Sequence, residues 1–342
     1  MSAMHNGDKP FIEVKNLKKY FPIQAGVFRK TVGHVKAVDG VSFSLHRGQT
    51  LGIVGESGCG KTTTGRVMLR LLSHTSGEVS FGGTDVFGLS KQEMKRMRTK
   101  MQIIFQDPYS SLNPRLPVRE IVGEAMLQHK LVQSKSEMND RVVEIIEKCG
   151  LFAEQANRYP HQFSGGQRQR ICIARSLALN PEFLVCDEPV SALDVSIQSQ
   201  IINLLKDLQE EMGLTYLFIS HDLSVVKFIS DIVGVMYLGQ IVEFGTKEQI
   251  FENPLHPYTE VLLNAAPVFN PGERESKKRV VIAGDVPSPA KPPPGCRFHT
   301  RCPYAKESCK TKQPDYVEIE PGRFVMCHRV GWDQKGDISY VF

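Results

Sequence analysis

The sequence predicts an α/β fold with a parallel sheet at its centre, and three stretches carry that expectation. Residues Gly55 to Thr62 read Gly-Glu-Ser-Gly-Cys-Gly-Lys-Thr and fill every required place of the phosphate-loop pattern G-x-x-x-x-G-K-[ST]. Ahead of it, Leu51 to Val54 is a short apolar run suited to a buried strand. Behind it, Thr63 to Leu72 lacks Pro and sets Val67, Met68, Leu71 and Leu72 on one helical face. Phe183 to Cys186 is a second apolar run, ending on Asp187 and Glu188, and Thr215 to Ile219 a third, ending on Ser220, His221 and Asp222. Uninterrupted apolar strands belong to sheets covered on both faces. Polar residues just past their ends lie at the mouth of such a sheet, where ligands bind.

A β-rich lobe precedes the loop. Phe11 to Val14 alternates like a strand, and Val38 to Leu45 sets Val41, Phe43 and Leu45 against Ser42 and Ser44. Within this lobe Tyr20 is either a platform for stacking an adenine or an aromatic packed at a strand end. In the loop itself, Gly55, Gly58 and Gly60 let the backbone turn its N–H groups inward, and the following helix adds the positive end of its dipole. Glu56, Ser57 and Cys59 fill the free places, and Thr63 continues into the helix. Lys61 is expected to reach the β and γ phosphates of a nucleotide, and the Thr62 hydroxyl to bind Mg²⁺.

Beyond the loop helix, Gly77 to Phe81 and Met101 to Phe105 read as further strands, the second ending on Gln106, which could complete a Mg²⁺ shell or orient water. Prolines 108, 114 and 117 then open an inserted helical subdomain, about 107–165, with helical spacing in Ile121 to Leu131 and in Val142 to Cys149. It closes at Ser164-Gly165-Gly166-Gln167. Ser164 is placed to cap the helix expected from Arg168 to Leu179, and the glycines expose N–H groups at a helix start, a second anion site. One nucleotide has no need of both anion sites in a single subunit; two subunits facing each other do. Asp187 is expected in the Mg²⁺ shell, Glu188 on the attacking water and His221 near a γ phosphate.

Composition is that of an ordinary soluble protein, 41% hydrophobic and 23% charged over 342 residues. A net charge of +5 is too mild to imply nucleic acid. No apolar run reaches the roughly 18–20 residues of a membrane span, and Met1 to Pro10 has no signal-like core, so a cytoplasmic chain is expected. Cys59, Cys149, Cys172 and Cys186 sit among apolar neighbours as small core residues. Residues 266–294 form a proline-rich linker carrying a solvated Lys277-Lys278-Arg279 run, and 295–342 a Cys-rich module. Its Cys296, Cys302, Cys309 and Cys327 are separated by five, six and seventeen residues. A module too small for its own core suggests a metal staple. The tight C-x-x-C pairs of zinc ribbons are absent, and the looser spacing is compatible with a 4Fe-4S cube; zinc, or free or disulfide-linked thiols, are the alternatives. His299 and His328 are near enough to serve as reserve ligands.

From about Phe11 to Ala265 the chain resembles the nucleotide-binding subunits of ABC transporters. The phosphate loop, Gln106, Ser164 to Gln167, Asp187-Glu188, Ser191-Ala192-Leu193-Asp194 and His221 occur in that family's order, with Phe163 where Leu is usual. The resemblance implies an ABC-type ATPase fold, a RecA-like core with an antiparallel β lobe and a helical subdomain. It implies a head-to-tail dimer that sandwiches ATP between one subunit's Lys61, Thr62, Gln106, Asp187, Glu188 and His221 and the other's Ser164 signature. It makes Glu188 the catalytic base or water-orienting carboxylate, His221 the γ-phosphate sensor and Tyr20 the adenine platform.

The segments Gln106 to Pro114, His256-Pro257-Tyr258-Thr259 and Gly295-Cys296-Arg297-Phe298 with Arg301-Cys302-Pro303 are similar to the ATPases of oligopeptide and dipeptide importers. The Gly-Cys-Gly loop and the Thr31 to Val38 stretch are more like the second, F-type ATPase of such a pair. That likeness implies a second ATPase subunit as heterodimer partner, two membrane permease subunits, an extracytoplasmic peptide-binding protein and a peripheral place on the cytoplasmic face of the membrane. It also implies a 4Fe-4S cluster on the tail cysteines, and no nucleic-acid partner. Importers of nickel and other small solutes share much of the pattern. Soluble ABC ATPases that act on DNA or ribosomes usually carry a long coiled coil, zinc insertions or a second cassette, none of which is present.

Overall fold

The computed structural model describes residues 9–265 and 285–331. They divide into two compact units. One comprises the described part of Met1–Ile12, Leu45–Thr50 and Ser80–Ser220; the other comprises Glu13–Ser44, Leu51–Val79 and the described part of His221–Phe342. The Lys277-Lys278-Arg279 run and the leader before Lys9 lie outside the described residues.

The first unit is built on parallel strands Met101–Ile104, Phe183–Asp187 and Thr215–Ile219, with Ile103 opposite Val185 and Val185 opposite Leu217. Every residue of the second and third strands is buried, as the unbroken apolar runs require. The helices around them start where the sequence supplies caps. Ser90 with Glu93 closes a capping box on Lys91–Lys100, Asp107 caps Pro108–Ser111, Ser134 caps Lys135–Lys148 and Asp194 caps Val195–Met212. The last of these stops at Gly213, whose left-handed φ of 66° is the ordinary way to end a helix. The helical insertion packs Val118–Gln128 on Lys135–Lys148. A Cβ at Gly123 would lie 2.6 Å from the Met138 side chain, so glycine is what lets these helices close. Cys149, Cys172 and Cys186 are fully buried here, as small core residues.

In the second unit the long strands Ile12–Ala25 and Lys30–Leu45 are joined by a turn at 26–29, and Ile12–Ala25 also pairs with Ser76–Phe81. Thr50–Val54 runs parallel to Ile232–Tyr237, which pairs antiparallel with Gln240–Thr246. The loop helix is Lys61–Met68. It ends earlier than the apolar spacing to Leu72 predicts, because Arg70 turns left-handed at φ 51°; Val67 and Met68 are buried, but Leu71 is 45% exposed.

The strands Val317–Glu320 and Arg323–Val325 are not legible as strands in the sequence. They extend the sheet, with Glu243 opposite Val325 and Phe244 opposite Phe324. Phe298, Cys309 and Val325 are buried in this unit, so the described part of the tail shares a core with the phosphate loop. Pro289, in the described part of the proline-rich stretch, accepts the Lys36 N–H at 3.3 Å.

A buried polar knot holds Gln240–Thr246 to the helix Pro257–Ala265. The Glu243 carboxylate accepts the N–H groups of Leu255 and His256 at 2.8 and 2.9 Å, and burial pushes it up to about 6. The His256 Nδ1 accepts the Tyr258 N–H at 3.0 Å, which only an unprotonated nitrogen can do. Burial, aided by the Arg329 charge, pushes that imidazole down to about 3. A base so depressed stabilises the fold above its unfolded pKa and loses that contribution as pH falls below it. We therefore expect His256→Asn to be less stable than wild type at pH 7. In urea denaturation the gap should narrow by about 1.4 kcal/mol per pH unit between pH 6 and 4. A constant gap would show that the ring is not the titrating group.

Candidate functional site

The phosphate loop leaves the buried strand Thr50–Val54 and is shaped by its glycines. Gly55, Gly58 and Gly60 have φ of 149°, 77° and 111°, in the region that disfavours side chains. Space adds a second constraint at two of them. A Cβ at Gly55 would stand 2.1 Å from the Met236 carbonyl oxygen, and one at Gly60 2.1 Å from that of Ala37. Lys61 is 5% exposed. Its Nζ donates to the carbonyls of Gly55 at 2.7 Å and Glu56 at 3.2 Å, so the ammonium closes the loop from inside. Gly239 N–H donates to the Cys59 carbonyl at 2.8 Å, and the buried Cys59 thiol is pushed up by desolvation. Thr62 and Thr63 follow on the first turn of the helix.

Tyr20 lies half-buried on Ile12–Ala25, and its hydroxyl donates to Asp39. Burial and that hydrogen bond push the phenol up to about 12. Although burial opposes it, the Tyr20 hydroxyl and the Arg297 and Lys36 charges hold the Asp39 carboxyl below the usual range. The Lys36 ammonium sits 5.6 Å from the Tyr20 ring centre. His221 is exposed in the same unit as the loop, next to Asp222, which caps the helix Leu223–Ile229.

The first unit brings together Gln106, Asp187 and Glu188. Asp187 ends its strand fully buried. Glu188 follows at φ 49°, a left-handed conformation that costs an ordinary side chain about 1–2 kcal/mol. It is held there by its N–H donating to the Ile219 carbonyl at 3.0 Å and by the Ser191 hydroxyl donating to its own carbonyl at 3.1 Å. Strain of this kind is kept where a side chain must be aimed. The Gln106 amide donates to the Glu188 carboxylate at 2.9 Å.

Ser164 caps the helix Gly165–Leu177, which begins earlier than Arg168 because both glycines take helical geometry. Its hydroxyl accepts the Gln167 N–H at 3.3 Å while the Gln167 side chain accepts the Ser164 N–H at 3.1 Å. A Cβ on Gly166 would meet Ile197 at 2.5 Å, so that glycine allows a close approach of helices. Phe163, at the place where Leu is usual in the resemblance, is buried at 5% exposure.

Cys296, Cys302, Cys309 and Cys327 line one pocket with His299 and His328. Burial pushes the Cys296 thiol up to about 11 and Cys327 up to about 12, with neighbouring thiols adding to both. His299 Nδ1 is engaged with the Cys296 carbonyl at 2.8 Å, and His328 Nε2 with that of Lys312 at 2.8 Å. Among the described residues, no set of three or more His, Cys, Asp or Glu side chains stands arranged to hold a metal ion. The pocket lining includes four cysteines, one of them on the short helix Glu307–Thr311, and sulfur is a soft donor.

Sequence reasoning missed what braces the loop. Glu56 receives both arms of Arg301, and Asp39 receives Arg297. Partners separated by 245 and 258 positions leave no local signal.

The glycine cradle and buried lysine of the second unit have the form of a phosphate loop, which places the chain in the class of nucleotide-binding P-loop proteins. Comparison with known proteins agrees. The ABC transporter family model matches residues 38–191, and that of the oligopeptide/dipeptide transporter C-terminal region matches 242–309. Curated relatives include the oligopeptide transport ATP-binding protein AppF of Bacillus subtilis, 55% identical over 93% of this chain and 96% of its own. The dipeptide transport ATP-binding protein DppF of Escherichia coli is 49% identical over 95% and 96%. A solved ATP-binding cassette, a dimer in a post-hydrolysis state with ADP and Pi, aligns with TM-score 0.61 at 29% identity over 69% of this chain and 98% of its own. The structure of cbiO1 from Clostridium perfringens aligns with TM-score 0.61 at 26% identity over 72% and 92%. The chain belongs to the family of oligopeptide and dipeptide ABC transport ATP-binding proteins.

The two kinds of glycine separate in a substitution test. Gly60→Ala adds a backbone clash to an unfavourable φ, whereas Gly58→Ala meets nothing within 4 Å and carries only the φ cost. We expect Gly60→Ala to lose measurable ATP binding, and Gly58→Ala to retain it with a loss of about 1–2 kcal/mol in stability. Titration with a fluorescent ATP analogue and thermal melting check both.

Proposed function

We propose that the chain is the ATP-binding and ATP-hydrolysing subunit of a dipeptide or oligopeptide importer. The observation that carries this reading is the 55% identity that runs through 93% of the chain, phosphate loop and C-terminal region alike. ATP stacks its adenine on Tyr20 and seats its phosphates in the N–H cradle of Gly55 to Thr62. Lys61 leaves the Gly55 and Glu56 carbonyls for the β and γ phosphates. Thr62, Gln106 and Asp187, all oxygen donors, would hold Mg²⁺, which neutralises charge developing on the phosphates.

Glu188 orients and deprotonates the attacking water, aimed by its strained backbone and by Gln106. His221 contacts the γ phosphate. The signature Ser164-Gly165-Gly166-Gln167 of a second subunit completes each site, its N–H groups already preset at a helix start. The second subunit is a related ATPase, this chain being the F-type member of the pair. Support comes from AppF and DppF among the relatives.

The pair acts on two permease subunits fed by an extracytoplasmic peptide-binding protein. No helix among the described residues is long and apolar enough to cross a membrane, which fits peripheral attachment to the cytoplasmic face. Residues 11–265 serve as the ATPase domain with 107–165 as its helical subdomain, 266–294 as a linker and 295–342 as a Cys-rich module. Cys296, Cys302, Cys309 and Cys327 would hold a 4Fe-4S cluster, which when bound would staple the module's loops.

Purified Glu188→Gln should bind ATP as wild type does and hydrolyse it ~10²-fold more slowly or worse; full turnover by that variant would refute the assignment of Glu188. Protein isolated without oxygen should contain about four iron atoms per chain. Stoichiometric zinc, or no metal, would overturn the cluster and leave the ATPase reading untouched.

A further inference from the structure

Glu56 has no role in the phosphate-loop pattern, yet all its polar groups are engaged. Its N–H donates to the hydroxyl of buried Tyr258 at 2.9 Å, and its carbonyl accepts Lys61 Nζ at 3.2 Å. Its carboxylate receives both terminal nitrogens of Arg301 at 2.9 Å each, a bidentate pair. The Arg301 side chain is 7% exposed. It lies beside an aromatic cluster in which Tyr237, Tyr258 and Phe298 meet with ring centres 4.6–5.4 Å apart. A few residues away Arg297, also 7% exposed, donates to the Leu238 carbonyl and to Asp39, the same carboxylate that accepts the Tyr20 hydroxyl. Leu238 is tied to the loop in turn, since the next residue, Gly239, donates to the Cys59 carbonyl. One short segment, 297–301, thus grips both the phosphate loop and the residue beneath the candidate adenine platform.

We propose that Arg301 and Arg297 are positioning residues for nucleotide binding, with Arg301 presetting the phosphate loop through Glu56 and Arg297 presetting Tyr20 through Asp39. The proposal rests on the reading of Gly55 to Thr62 as an ATP cradle. A loop with left-handed glycines has many accessible conformations, and an affinity that depends on converging N–H groups is highest when binding does not have to order them. The ion pair also matters by charge. With Arg301 removed, the Glu56 carboxylate is left bare beside the place of the phosphates, where it repels them. Arginine is needed in place of lysine, because only a planar fork holds both oxygens and so fixes the carboxylate's rotation.

The test uses the full-length chain, a fluorescent ATP analogue for Kd and thermal melting for integrity, with Lys61→Ala as the reference for a lost cradle. Arg301→Ala should weaken ATP binding by about 10-fold or more, and Arg301→Lys by less. The double variant Arg301→Ala with Glu56→Ala should recover most of the loss, because the bare carboxylate is gone. Arg297→Ala should weaken binding of ATP and ADP alike while leaving the response to Lys61→Ala unchanged.

A folded Arg301→Ala with wild-type Kd overturns the proposal, as does a double variant at least as weak as the sum of its parts. If Arg301→Ala does not fold, Arg301→Lys and Glu56→Gln decide, and wild-type affinity in both overturns it. Wild-type protein that fails to bind ATP at all would instead remove the reading of the loop itself.

Discussion

The structure depends on a backbone held open. A phosphate cradle needs successive N–H groups aimed at one point, and the only way to aim them is to leave them out of the hydrogen-bond ladders that stabilise ordinary backbone. Gly55, Gly58 and Gly60 supply the conformations, but conformational freedom alone gives a floppy loop. The rest of the second unit supplies the bracing. Met236 and Ala37 press their carbonyls against the turn, Gly239 ties off Cys59, Tyr258 takes the Glu56 N–H, and Lys61 draws the Gly55 and Glu56 carbonyls together. At Gly55 and Gly60 the pressing carbonyls leave no room for a side chain.

This view gives the C-terminal region a reason to be where it is. Residues beyond the ATPase cassette could have formed an appendage. Instead Arg323–Val325 pairs with Gln240–Thr246, Phe298 fills the aromatic cluster under the loop, and Arg297 and Arg301 reach charged partners in the nucleotide-binding part of the unit. Each of those arginines neighbours a cysteine of the thiol pocket, Cys296 in one case and Cys302 in the other. The thiol-lined pocket and the phosphate loop are thereby linked by a few covalent bonds and two part-buried ion pairs. An ion pair whose arginine is this shielded is costly to break from the carboxylate side, which makes it better at fixing a geometry than at adding net stability.

Much of this was legible before the fold was known, and the pattern of successes follows from locality. The strands ending at Asp187 and Ile219 are contiguous apolar runs, the one ending at Ile104 is apolar but for Gln102, and the Ser164 cap is a short-range signal satisfied within three residues. The less legible features are long-range or conformational. Val317–Glu320 is mostly exposed and carries acids at alternate positions, so only pairing with its neighbour makes it a strand. The left-handed φ of Glu188 has no sequence signature, because the residue type is ordinary and the strain is imposed by Ile219 and Ser191. Leu71 misled the helix reading, since apolar spacing continues past the point where Arg70 turns the chain away.

The proposed function makes the loop half of a site, one that hydrolyses ATP when another subunit presents its Ser164 signature. The most direct measurement is the solution mass of the Glu188→Gln chain by light scattering, with Mg-ATP and with ADP, alone and mixed with the proposed partner ATPase. The account predicts a dimer that forms with ATP, dissolves with ADP and is abolished by replacing Ser164 with a bulky charged residue. A chain that stays monomeric in every mixture while the unsubstituted protein hydrolyses ATP at a rate per molecule independent of concentration would contradict it.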